Sequence, residues 1–191
     1  MRKLVVFAAG LLTTPILGAL SAWVYFGQGR FDIAATAPVS EGEERAAVFV
    51  RERSLARRAP KGSNPGPVNE ETLAEGLVHY RANCLACHGA PGLPQPAIGQ
   101  GLNPPAPNLA LADTQGRTDG ALFWITSHGF RMTGMPGFAS THEPEDVWKM
   151  VSFVRHLPKI TDAERERLRA GLPRDDEEPP AHAPAGAGGV K

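Results

Sequence analysis

The sequence CLACH at residues 84–88 holds the side chains best suited to chemistry. In a C-x-x-C-H motif, two thiols add across the vinyl groups of a haem and form thioethers. The three-residue spacing places the sulfurs of Cys84 and Cys87 on one helical turn. His88 follows directly, where its imidazole can bind the iron. The motif therefore predicts one covalently attached haem c, with His88 as an axial ligand.

Other uses of paired cysteines fit the sequence less well. A thioredoxin-like redox pair normally lies within a βαβ unit, and the sequence shows no convincing strand pattern. A zinc site needs four ligands, and a second Cys or His pair at suitable spacing is missing. The chain has only two cysteines, and a disulfide between residues three apart would stabilise little. The haem interpretation is therefore favoured.

Met135, in the segment TGMPGF, is the preferred candidate for the second axial ligand. Glycines allow a close approach to the ring, and proline stiffens the turn. Met132 is an alternative in a less constrained setting, whereas Met150 falls on the apolar stripe of a predicted helix. His128 and His142 are further alternatives, although a lone His near a helix end is more often a cap or surface residue. With both axial positions filled by His and Met, the chemistry that remains is outer-sphere electron transfer.

The elements that must position these residues are helices joined by long loops. Apolar spacing and capping residues predict helices over 70–84, 118–129 and 143–157. A composition rich in charged residues predicts further helices over 41–59 and 161–170. The expected N-caps are Asn69, Thr118, and either Thr141 or His142. The loops over 89–113 and 130–140 are rich in Pro and Gly, and such long loops usually wrap around something. The sequence predicts an all-α fold, in which three or more helices and long loops surround one haem.

The N-terminus predicts an exported protein. Arg2 and Lys3 precede an uncharged run over 4–26, which as a helix would span roughly 34 Å, against a hydrocarbon core of about 30 Å. Basic residues favour the cytoplasmic side, so the chain beyond the run is expected outside. We predict a single-pass anchor in the bacterial cytoplasmic membrane that contacts lipid, with the haem domain on the periplasmic side. The alternative is a cleaved signal peptide, with Ala19 and Ser21 near the cut.

Composition and the positions of Pro- and Gly-rich segments predict how the chain is divided into domains. We expect a transmembrane anchor (or signal peptide) over 1–27, a linker with a short helix over 28–67, the haem domain over 68–160, and a charged, mostly disordered tail over 161–191. Basic and acidic residues balance at 20 each, so no bulk charge points to nucleic acid. The haem domain carries six basic and eight acidic residues, and steering by a strongly charged patch is not evident.

Over about residues 70–158, the sequence resembles the class I cytochromes c, in a membrane-anchored monohaem form. The resemblance rests on CLACH with its preceding helix, APNL at 106–109, LFWITSHGFRMTGMPGF at 122–138, and the helix THEPEDVWKMVSFVRHLP. The regions 30–60 and beyond 172 are not part of it.

The resemblance implies a role for each site residue. Cys84 and Cys87 would bind haem covalently, and His88 and Met135 would be the axial ligands. The carbonyl of Pro107 would orient His88 through a hydrogen bond, with the nearby Pro104 and Pro105 as alternatives. The resemblance also places Gly76 and Tyr80 where the first helix crosses the last, near Trp148 and Phe153.

Together these features predict a single-electron carrier and not an enzyme. Its expected partners are redox proteins in or at the membrane, with neither nucleic acid nor a small-molecule substrate. One alternative is a haem-based sensor or ligand-binding module, which would need Met135 to dissociate or not to ligate. Another is a dedicated electron-entry subunit of a larger oxidoreductase.

Overall fold

The computed structural model describes residues 2–172, without the side chains of residues 2–9 and 12. The chain divides into two compact units, Met1–Ser40 and Glu41–Lys191. Across residues 2–172 the regular structure is entirely helical, with no strand. The all-α prediction is therefore confirmed for this part of the chain. Residues 173–191 of the predicted tail lie outside the described residues.

The first unit consists of helix α1 (Arg2–Gly27) and a short irregular segment. Among the residues described, no helix combines the length and the apolar character needed to cross a membrane. The prediction of a transmembrane helix in this region, with its lipid contact, therefore finds no support.

The second unit contains the remaining helices. These are α2 (Glu41–Arg58), α3 (Glu70–Asn83), α4 (Leu85–His88), α5 (Ala97–Gln100), α6 (Ala112–Gln115), α7 (Asp119–His128), α8 (Pro144–His156) and α9 (Asp162–Arg169), with a 3-10 turn at Leu157–Lys159. Two predicted N-caps are confirmed: the Asn69 side chain accepts from the Thr72 amide, and Thr118 accepts from the Ala121 amide.

The predicted N-cap of α8 is wrong. Glu143 occupies that position, and Pro144 begins the helix, where its fixed φ and missing N–H are well suited. Thr141 and His142 belong instead to the preceding turn, in which both amides donate to the carbonyl of Phe138.

The core lies where α3 crosses α8. Gly76 marks the closest approach, because an added Cβ would lie 2.4 Å from the carbonyl oxygen of Lys149. The rings of Tyr80 and Phe153 pack 5.4 Å apart, centroid to centroid, and both side chains are fully buried. Phe123 of α7 stacks on Trp148 of α8 at 4.3 Å. These contacts fix the two long helices that carry one wall of the site.

Helix α2 and the segment after it pack on the outer side of α7 and α8. Leu55 is buried, and Glu52 forms an ion pair with Arg117 at 3.1 Å. Further along, the amide of Asn64 donates to Asp119, and its side chain donates to Ser152 at 2.7 Å. These bonds hold the segment against the helices of the second unit.

Candidate haem site

A cleft in the second unit brings together four of the five residues singled out for haem binding. Its walls come from the end of α3, helices α4, α7 and α8, and the loops before α6 and α8. The empty space within it is about 540 Å³, including its open side. The side chains around it are mostly apolar, and the lining residues are Asn83, Cys84, Cys87, His88, Leu102, Ala106, Leu109, Thr126, Gly134, Met135, Pro136, Phe138, Met150 and Val154.

Helix α4 places the three residues of the motif on a single turn. The Cys84 amide ends α3 by donating to Tyr80, and the Cys84 carbonyl then accepts from the amides of Cys87 and His88 at 3.1 and 2.9 Å. Leu85, fully buried, anchors the turn in the core. The short helix therefore turns both sulfur-bearing residues and the imidazole toward one cleft.

The carbonyl of Pro107 determines the tautomer of His88. The Nδ1 atom lies 2.7 Å from that oxygen, and because a carbonyl only accepts, Nδ1 must carry the proton. Burial lowers the pKa of His88, against the opposing effect of this hydrogen bond. The imidazole is therefore neutral, and its Nε2 lone pair is free to bind a metal. The resemblance to cytochromes c had pointed to this proline.

The two cysteines are free and only partly exposed. Burial, with a smaller effect of Cys87, raises the pKa of the Cys84 thiol to about 12. Such a thiol is protonated and unreactive as a thiolate, which disfavours the redox-pair interpretation. Within residues 2–172, no group of three or more His, Cys, Asp or Glu residues is arranged to hold a metal ion. The arrangement thus gives no support to a zinc site.

Met135 lies at the base of a tight loop and lines the cleft. Its amide donates to the Thr133 hydroxyl, and its carbonyl accepts from the Phe130 amide. Met132, the alternative, is at the tip of the same loop, where its side chain is 93% exposed. The position within the loop favours Met135 over Met132 as the residue that faces a cofactor.

The remaining alternatives are placed differently. His128 is exposed, and its Nδ1 atom lies 3.0 Å from the Trp124 carbonyl. His142 contacts Thr141 and Asn83. Met150 lines the cleft from α8 but is otherwise buried in the core. Of these candidates, only Met150 reaches the cleft.

The residues present fit a haem. Two thiols stand on one turn, a neutral imidazole follows them, and a thioether is available from a separate loop. The apolar lining suits a large flat ring and limits the access of water. Cys84, Cys87, His88 and Met135 would hold the group.

Sequence reasoning missed part of the lining. The only signal of Leu102 and Leu109 in the sequence is their apolar character within a Pro-rich loop, and Asn83 gives no signal at all. The isolated leucines were the usable clue, because an apolar residue in an irregular loop needs a surface to cover.

Comparison with known proteins agrees with this geometry. Residues 71–154 match the family described as cytochrome c oxidase, cbb3-type, subunit III. This segment belongs to the cytochrome c family. The chain is also similar to a protein of Thauera butanivorans named 1-butanol dehydrogenase (cytochrome c), with 35% identity over 88 residues. That alignment covers 45% of this chain and only 11% of the relative. A cytochrome c domain implies haem c as the cofactor and electron transfer as the activity.

Proposed function

We propose that this protein is an electron carrier and not itself an enzyme, and that it binds one haem c covalently through Cys84 and Cys87. His88 and Met135 would be the two side chains that hold its iron. The observation that carries the proposal is the single cleft into which α4 and the 130–136 loop bring all four residues. When bound, haem supplies a one-electron couple between iron(III) and iron(II).

The chain's own residues would set the reduction potential of that couple and exclude other ligands from the site. Pro107 holds His88 in the tautomer that leaves Nε2 free. If it holds the iron, the soft thioether of Met135 would favour the reduced metal and raise the potential relative to a second imidazole. If His88 and Met135 both hold the iron, no position would remain on it for oxygen or a substrate.

Spectroscopy of the intact protein tests this proposal. We expect the haem to stay with the polypeptide after acid–acetone extraction, adding the mass of one haem. The absorption spectrum of the oxidised protein should show, at its red edge, the weak band that marks a Met–iron(III) bond. Absence of that band, together with carbon monoxide binding to the reduced protein, would support a sensor or ligand-binding module instead.

The relative from Thauera butanivorans favours a second candidate, in which the domain serves a larger dehydrogenase or oxidase as its electron-entry subunit. Purification in mild detergent separates the two. A free carrier elutes alone, whereas a dedicated subunit elutes with its enzyme in a fixed ratio. Both candidates require redox proteins as partners.

We also propose that the haem domain works on the periplasmic side of the cytoplasmic membrane. The support is the sequence, in which Arg2 and Lys3 precede an uncharged run, the order found in exported proteins. Fusion of the chain to an enzyme that is active only in the periplasm tests the location. An inactive fusion, in cells that make the protein, would contradict it.

A further inference from the structure

Helix α2 packs on the second unit through the side that carries Leu55, which is only 4% exposed. Glu52, on the adjoining part of the helix, pairs with Arg117 at 3.1 Å. Each residue of a helix is rotated by about 100° from the one before it. Residues 49, 50, 53 and 57 therefore lie on the side of α2 opposite Leu55, away from this packing contact.

The opposite side of α2 presents two apolar and two basic side chains to solvent. Phe49 and Val50 are 60% and 64% exposed, and Arg53 and Arg57 are exposed as well. The four-residue spacing of Phe49, Arg53 and Arg57 aligns these side chains along one face. The guanidinium carbon of Arg53 lies 5.4 Å from the centre of the Phe49 ring, an attractive cation–π contact. We call these four residues the outer face of α2.

The charge around the outer face is positive. Residues 49–58 contain four arginines and a single acidic residue, Glu52, whose carboxylate is paired with Arg117. The other three acidic residues of α2 lie in its first turn. A second copy of the chain on this face would bring arginines against arginines, and like charges repel. The face therefore fits a partner that is negatively charged and also offers apolar surface.

We propose that the outer face of α2 binds the surface of a bilayer rich in anionic phospholipid. Phe49 and Val50 enter the boundary between headgroups and acyl chains. Arg53 and Arg57 keep their guanidinium groups at the phosphates, which they can bind in bidentate fashion, while their apolar stems cover the surface below. The helix lies outside residues 71–154, the segment that matches the cytochrome c family. The proposal therefore goes beyond electron transfer and does not depend on it.

A fluorescent dye on the outer face tests the proposal in the whole holoprotein. Val50→Cys supplies a thiol for an NBD dye, whose emission shifts to the blue in lipid and which aqueous iodide quenches in water. The labelled protein is mixed with vesicles of phosphatidylglycerol, which is anionic, or of phosphatidylcholine, which has no net charge. On phosphatidylglycerol we expect a blue shift and a severalfold loss of iodide quenching. On phosphatidylcholine the dye should stay exposed to iodide.

The test variant carries Arg53→Gln and Arg57→Gln in the labelled chain. Gln is a good helix former, so α2 should keep its structure, while two charges that favour an anionic surface are lost. We expect this variant to lose most of the blue shift and of the protection from iodide. Helix α1 is the same in every variant, so any contact of its own with the vesicles cannot account for the difference.

A matched control removes two exposed arginines from the last turn of α9, by Arg167→Gln and Arg169→Gln. It should behave like the labelled protein with all its arginines.

Three results would overturn the proposal: no shift on phosphatidylglycerol, an equal shift on phosphatidylcholine, or an equal loss in the α9 control. Protection from iodide without vesicles would also overturn it, because it would indicate that a second copy covers the face. The absorption spectrum of the haem, read on the same samples, should be unchanged throughout. Its absence would count against the proposed haem attachment and not against the outer face of α2.

Discussion

Gly99 of α5 lies directly against the carbonyl oxygen of Cys87, so closely that a Cβ atom added to Gly99 would be 1.8 Å from that oxygen. The same short helix is hydrogen-bonded to the Pro-rich loop, because the Gly99 carbonyl accepts from the Ala106 amide at 2.9 Å. Gly99 therefore connects the haem-binding turn to the segment that carries Pro107.

Gly99→Ala should damage the site through this contact alone. The methyl group cannot be accommodated unless α4 and α5 separate, and we expect a loss of at least about 2 kcal/mol in stability, with a lower yield of covalent haem. Gly101→Ala is the control, since its added Cβ would be an ordinary 3.4 Å from the nearest atom. For each variant, haem staining per mole of protein measures the yield of covalent haem, and chemical denaturation measures the stability. Equal yields from the two variants would contradict the prediction.

Met135→Ala should leave the haem attached and lower its potential, because the soft sixth ligand is lost. The drop should be on the order of 0.1 V or more, within the roughly 0.8 V range that axial ligands cover. The red-edge band of the oxidised protein should vanish. Met132→Ala is the natural comparison, being three residues away on the same loop, and it should keep both band and potential. The opposite pattern would make Met132 the ligand.

Tyr80→Phe should destabilise the protein without altering its shape. The Tyr80 hydroxyl is buried and donates to the Gly89 carbonyl at 2.6 Å, and burial raises the pKa of this phenol well above its usual value. Removing the hydroxyl leaves a buried carbonyl without its donor, a cost of about 1–3 kcal/mol. Urea denaturation should show a lower midpoint at an unchanged slope. Tyr25→Phe, on the exposed end of α1, should have no effect.

The sequence alone is sufficient to predict elements that carry a strong local signal. Asn69 and Thr118 were identified as N-caps because a side-chain oxygen at a helix start has one obvious use. Apolar residues at helical spacing predict a buried stripe on α8, and Val147, Met150 and Val151 are indeed buried. Where the signal is local and periodic, prediction and structure agree.

Other features depend on contacts that a local pattern does not encode. Helices α5 and α6 are four residues each, too short for any periodicity within a Pro-rich loop. The packing on α7 of the segment that follows α2 depends on Gly120, where an added Cβ would lie 1.9 Å from the Pro60 carbonyl oxygen. The bond from His88 to Pro107 joins residues 19 positions apart, and only the family resemblance suggested it.

The ion pair between Glu52 and Arg117 gives the second unit a predictable response to acid. The hydrogen bond from the Arg117 guanidinium lowers the pKa of Glu52, outweighing partial burial, which raises it. A carboxyl whose pKa is lower in the folded state stabilises the fold above its unfolded pKa of about 4.3. That contribution is lost as the pH falls through the lower, folded pKa.

Glu52→Gln should therefore reduce stability at pH 7 by less than about 1 kcal/mol, because both side chains are partly exposed. The difference from the unmodified protein should shrink toward zero in acid, once the pH has fallen below the lowered pKa of Glu52 and its carboxyl is protonated. A double-mutant cycle with Arg117→Gln isolates the pair, measured by urea denaturation at both pH values. A coupling energy that is the same at both would show that the charge on Glu52 contributes nothing to the packing of α2.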